Sequence, residues 1–108
     1  MEVGDLATES SGFPLPEETV EEVSRTFKAL GDPTRIRILH LLSRGEASVG
    51  RIAGALSLSP SAVSHQLAYL RNLRLVKYRR KGSTYLYSCL DDHVLALLHQ
   101  TIRHVEHG

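Results

Sequence analysis

Four side chains near the end of the sequence have the types and spacing of metal ligands: Asp91, His93, His104 and His107, in the pattern D-x-H-x10-H-x2-H. On an α-helix turning about 100° per residue, His104 falls about 20° from His93 and His107 about 40° to its other side. The three imidazoles therefore share one face, whereas His99 falls about 120° from His93. Along the axis, however, eleven residues rise about 16 Å, and a zinc–nitrogen bond is only about 2 Å. One chain cannot close such a site. Two copies packed antiparallel about a two-fold axis can, because the start of one last helix then meets the end of the other. Asp91 and His93 would face His104 and His107 of the partner subunit, giving two symmetric sites per dimer. His104 and His107 stand at i and i+3 and chelate from one face. Asp91 and His93 stand at i and i+2 and would diverge on a regular helix, so Asp91 must sit at the helix boundary. One carboxylate and three imidazoles make a closed tetrahedral shell that suits Zn(II), with Co(II) next. Ni(II) is a poorer match. It would want further ligands, which Glu2, Asp5, Glu9 or the terminal amine could supply.

A second constellation lies mid-chain. Ser61, Ser64, His65 and Gln66 fall in the first turns of a segment that reads as a helix. Hydroxyls donate or accept to base edges, and a glutamine can pair with adenine. Arg79, Arg80 and Lys81 follow in a turn-forming segment and suit phosphates or the minor groove, with Arg71, Arg74 and Lys77 close by in sequence. The overall charge of +1 hides this concentration. Residues 1–32 carry −6, residues 33–90 carry +9 and residues 91–108 carry −2. A basic centre between acidic ends is the footprint of a phosphate-bearing partner.

The elements that must position these residues follow from periodicity and punctuation. Residues 1–16 hold Gly4, Ser10-Ser11-Gly12, Pro14 and Pro16 with no apolar repeat, and read as a flexible arm. Val20, Val23, Phe27 and Leu30 then recur at helical spacing, with acids in the first turn. Asp32-Pro33 opens a second helix as N-cap and first-turn proline. Ser48 caps a third, Ser57-Leu58-Ser59 is a short break, and Ser59-Pro60 opens a fourth with Val63, Leu67 and Leu70 inward. Residues 76–80 and 84–89 are rich in tyrosine and β-branched residues and flank Lys81-Gly82-Ser83, a hairpin signal. Asp91 or Asp92 caps a last helix. Five helices with a two-stranded hairpin after the fourth make a mainly α (α+β) winged helix-turn-helix over residues 17–108. The first and last helices remain to form a homodimer.

The 108 residues fit one domain. One cysteine excludes an intrachain disulfide and fits a reducing, cytoplasmic setting. No run approaches the roughly 18 apolar residues of a membrane helix. A metal-dependent hydrolase would need an open coordination position and a general base, which the four-ligand pattern does not offer, so the reading is not an enzyme. A winged-helix repressor indifferent to metal stays open as an alternative, as does a nickel or cobalt sensor with added ligands.

The run Phe27-Lys28-Ala29-Leu30-Gly31-Asp32-Pro33-Thr34-Arg35, the segment Ser61-Ala62-Val63-Ser64-His65-Gln66-Leu67 and the exit Leu73-Arg74-Leu75-Val76 resemble the ArsR/SmtB family of bacterial metal-responsive repressors. The resemblance covers about residues 20–107. It implies that Asp91, His93, His104 and His107 match the last-helix ligands of the CzrA-type zinc and cobalt sensors. It also implies a mechanism: the metal-free dimer binds double-stranded operator DNA, and metal binding releases it to derepress efflux or resistance genes. In the family a ligand at the His104 position is tied to a backbone carbonyl just after the recognition helix, near Arg74. The thiolate-sensing branch places a cysteine where this chain has Ser48, so that site is expected to be absent.

Overall fold

A computed structural model describes residues 12–108. Most of the arm expected at residues 1–16 lies outside the described residues. Residues 12–16 are exposed and carry no helix or strand.

Helix α1 (Glu17–Leu30) begins after Pro16 without a side-chain cap and has Glu17 and Glu18 in its first turn, where the helix dipole favours acids. Its apolar stripe finds little cover. Val20, Val23 and Phe27 remain 44, 46 and 56% exposed, and only Ala29 is buried. The following helices are capped as their sequence dictates. Asp32 accepts from the Arg35 N–H at 3.0 Å and Pro33 fills the first position of α2 (Pro33–Leu42). Ser48 accepts from the Arg51 N–H to start α3 (Val49–Leu56), and Ser59 from the Ala62 N–H to start α4 (Pro60–Asn72). Between α3 and α4, Ser57 takes the left-handed conformation (φ 56°), which lets the chain reverse in three residues. That tight break makes α3 and α4 a helix-turn-helix.

Arg74, at φ 59°, turns the chain out of α4 into the sheet. Strands β2 (Val76–Lys81) and β3 (Thr84–Cys89) pair antiparallel, from Val76 opposite Cys89 to Lys81 opposite Thr84, and Gly82 takes the φ of 64° that the turn requires. A third strand was not foreseen. Two residues before α3, β1 (Ala47–Ser48), pair with Tyr87 and Leu86 on the far side of β3, giving the order β1-β3-β2. Two residues are too few to show an alternation, so this strand exists only through its partner. Helix α5 (Asp92–His107) completes the chain.

One core unites the helix-turn-helix, the base of the wing and α5. Ile38, Leu39 and Leu42 of α2 pack with Ile52 of α3, Val63, Leu67 and Leu70 of α4, Val76 of β2 and Leu98 of α5. This is the winged helix-turn-helix expected from the sequence, enlarged by the short third strand.

Candidate nucleic-acid interface and metal centre

Helix α4 has one side fixed by the core. Val63, Leu67 and Leu70 are fully buried, so the opposite side faces outward. Ser61, Ser64, Ala68 and Arg71 run along it at helical spacing, with His65 beside them, all exposed. Ala68 is the member that sequence reasoning missed. Its small side chain lets the helix approach closely, and its methyl suits the thymine methyl. Its only signal was its place in the i, i+3, i+7 row.

Gln66 does not join that row. It is half-buried, and its Oε1 accepts from Arg35 Nη1 at 3.3 Å. A guanidinium only donates, so it fixes the amide with the carbonyl inward and the NH2 group as the free end. The pairing with adenine that the sequence suggested would then fall to the NH2 group. Arg35 itself is a hub that sequence reading passed over. Its Nε donates to the Ala29 carbonyl at 3.1 Å, Nη2 reaches the Lys28 carbonyl at 3.5 Å, and the group lies 4.3 Å from the Tyr69 ring centre. One side chain thus satisfies carbonyls at the end of α1 while bracing α4.

The wing separates the three bases expected to act together. Successive strand residues point to opposite faces. Arg80, opposite Tyr85, shares a face with Tyr78, whereas Arg79 and Lys81, opposite Leu86 and Thr84, lie on the other. Arg79 is already engaged: Nε donates to Glu46 Oε2 at 2.9 Å and Nη2 to Oε1, a two-pronged ion pair. The hydrogen bond from Arg79 holds the Glu46 carboxyl below its usual range, and Glu46 in return raises the Arg79 pKa. Arg80 donates through Nε to the Gly82 carbonyl at 3.0 Å. Lys81 is exposed.

At α5, Asp91 is extended (φ −139°, ψ 157°) and caps the helix. Its Oδ1 accepts from the His93 and Val94 N–H groups at 2.9 and 3.2 Å. It occupies the boundary position that the ligand spacing required. His93 Nδ1 lies 3.8 Å from the same oxygen, and the His93 side chain is 98% exposed. At the other end, His104 and His107 are exposed and line one shallow surface hollow with Gln100 and Arg103. Among the described residues, no three His, Cys, Asp or Glu side chains of one chain come close enough to hold a metal ion. The structure brings the four candidates together as two pairs at opposite ends of one helix.

The remaining histidines meet each other: His40 of α2 and His99 of α5 stand edge to face, ring centres 6.5 Å apart. Cys89 is half-buried, and burial, then the Asp92 charge, pushes its thiol up to about 11. It is a protonated packing residue, not a thiolate.

A recognition helix with an outward polar row, followed at once by a basic wing, defines a DNA-binding winged helix-turn-helix of the transcriptional-regulator class. Residues 32–78 match the model of the bacterial regulatory proteins of the arsR family. The chain is 43% identical over 82% of its length to a transcriptional repressor SmtB homolog of Synechocystis, covering 67% of that protein. It is 44% identical over 87% of its length to the regulator NmtR of Mycobacterium tuberculosis, covering 78% of it. A homodimeric winged helix-turn-helix DNA-binding domain from Mycobacterium bovis, a possible ArsR-family regulator, superposes with a TM-score of 0.76 at 33% identity, over 84% of this chain and 88% of that one. The chain belongs to the ArsR family. Among the described residues, no helix is long and apolar enough to cross a membrane.

Proposed function

We propose that this protein is a metal-responsive transcriptional repressor that acts as a homodimer and senses Zn(II), or Co(II), through its last helix. The observation that carries the reading is the placement of the four ligands. Asp91 and His93 stand together at the capped start of α5, and His104 and His107 stand at its end. Two antiparallel copies of that helix bring one pair to the other. The exposed Val20, Val23 and Phe27 of α1 and Leu97 and Val105 of α5 supply apolar surface for that pairing. The similar proteins add weight, since one is named a repressor and another, from Staphylococcus aureus, a cadmium resistance regulatory protein CadC homolog.

The donor set fits the ion. The Asp91 cap uses Oδ1 alone, and the imidazoles are exposed to solvent. Asp91 and His93, with His104 and His107 of the partner subunit, would hold Zn(II) in a closed shell. Bound there, the ion supplies a cross-link between the two last helices. The chain's own residues do the rest. Leu98, 5% exposed, seats α5 in the core that holds α4. A change in the spacing of the two α5 helices therefore changes the spacing of the two recognition helices. Ser61, Ser64 and His65 read base edges, while Arg71, Arg80 and Lys81 meet the backbone. His104 and the left-handed turn at Arg74 form the relay between the two ends. The coupling is reciprocal: DNA weakens metal binding by the factor by which metal weakens DNA binding.

A Co(II) absorption titration, with and without an operator duplex selected in vitro, tests this reading. Intense visible bands and a lower Co(II) affinity on DNA are expected, and His104→Asn should uncouple the two. Weak bands would instead indicate six-coordination and the nickel or cobalt alternative. A DNA affinity indifferent to metal would leave a repressor without metal control.

A further inference from the structure

The inner face of the wing and the end of α4 are joined by rings and guanidiniums in alternation. Val76, Tyr78 and Arg80 of β2 share a face with Cys89, Tyr87 and Tyr85 of β3. At the base of this face Val76 is buried. Further out, the Tyr78 ring stands edge-on to Tyr85, centres 5.0 Å apart, and 5.5 Å from Tyr87. The Arg71 guanidinium, reaching over from α4, lies 4.6 Å from the centre of Tyr78, and that of Arg80 lies 5.8 Å from Tyr85. Tyr78 is 41% exposed and Tyr85 46%, so these rings are not core residues. Beside them runs a groove of about 430 Å³ between α4 and the wing. Arg71, Arg74, Val76, Lys77, Tyr78 and Leu90 line it, with no acid among them.

The way each arginine is held matters. Arg79 is held by a carboxylate, which fixes its geometry but cancels its charge. Arg71 and Arg80 are held by ring faces. A ring restrains the guanidinium plane without consuming an N–H donor and without neutralising it. Of the two, among the described residues, only Arg80 spends a donor, its Nε, on the Gly82 carbonyl. Such a guanidinium is pre-ordered for the two-pronged hydrogen bonding that phosphate oxygens accept.

We propose that Tyr78 and Tyr85, packed edge to face, are positioning residues that present Arg71 and Arg80, respectively, to DNA phosphates, and that the groove between α4 and the wing is a backbone-binding groove. The proposal rests on the DNA-binding reading and deepens it. It makes Arg80, not Arg79, the pre-ordered guanidinium of the wing, and it gives the aromatic residues of the hairpin a role beyond strand propensity.

The test is fluorescence anisotropy with a short labelled duplex of arbitrary sequence, over a range of salt concentrations. Arg71→Ala should weaken binding about three- to tenfold and flatten the slope of log affinity against log salt by about 0.9, one phosphate contact. Tyr78→Leu should lose much of the same, while Tyr78→Phe, which keeps the ring, should match the wild type. The Tyr78→Leu/Arg71→Ala double variant should be no weaker than Arg71→Ala alone. Arg79→Ala should leave the slope unchanged. Tyr85→Leu probes the same column from its other end, through Arg80. Thermal melts identify any variant that fails to fold. A folded Tyr78→Leu protein with wild-type affinity and slope would overturn the proposal. So would additive losses in the double variant, or a Tyr78→Phe protein as weak as Tyr78→Leu. A wild-type protein with no salt-dependent duplex binding would instead bring down the DNA-binding reading itself.

Discussion

Helices α1 and α4 are both amphipathic, and the structure treats their apolar faces in opposite ways. Val63, Leu67 and Leu70 of α4 are fully buried, while Val20, Val23 and Phe27 of α1 stay about half exposed. The same contrast separates the two candidate sites. The row proposed to read DNA is complete within one chain, because the core fixes which side of α4 looks out. The proposed metal ligands are split into two pairs at the ends of α5, and that helix retains exposed Leu97 and Val105. The difference teaches that this chain is two kinds of surface. One is finished by folding. The other, in the proposed dimer, is finished only by a second copy, and the proposed switch lies on the unfinished one.

The largest expected effects test that division directly. Leu67→Ala should cost about 2–5 kcal/mol, read as a lowered urea midpoint whatever the protein concentration. Phe27→Asp should leave the far-ultraviolet circular dichroism intact but give monomers in sedimentation equilibrium. A Phe27→Asp protein that remains dimeric would erase the contrast, since α1 would then not be part of the incomplete surface.

A smaller effect sharpens the role of Asp91, which is a cap on one side of the comparison and a proposed ligand on the other. Asp91→Ala should lower the stability of the metal-free protein by about 1 kcal/mol and weaken Zn(II) binding as well. Asn caps helices about as well as Asp, so Asp91→Asn should keep the melting temperature and still weaken Zn(II) binding. Calorimetric scans and competition with a zinc-binding dye separate the two outcomes. Wild-type zinc affinity in the Asn variant would reduce Asp91 to a cap.

The smallest effect concerns the exposed Glu46–Arg79 pair. Its carboxyl pKa is lowered in the folded chain, so the stability it adds is present above the ordinary glutamate range and is lost as pH falls through the folded value. Glu46→Gln should therefore be slightly less stable than the wild type at neutral pH and equal to it in acid. A difference that persists in acid would point to packing, not charge.

What could be read directly from the sequence was local. The caps Asp32, Ser48, Ser59 and Asp91 each accept from an N–H group two or three residues on, so spacing alone locates them. The buried side of α4, the hairpin with Gly82 at its turn and the shared face of His93, His104 and His107 follow from periods of 3.6 and 2, which any reader of the chain can count. What only the tertiary structure decided were pairings between residues far apart in sequence. Arg79 meets Glu46 across 33 residues, and Gln66 meets Arg35 across 31. Strand β1 forms against β3, and Arg71 comes to rest on Tyr78. Such contacts leave no periodic trace, because they depend on how separate elements pack and not on the backbone geometry of any one of them. The basic centre was therefore visible as a sum of charges. Which guanidinium meets a carboxylate and which lie on rings was decided only when the wing folded with Glu46 on one face and a row of tyrosine rings on the other.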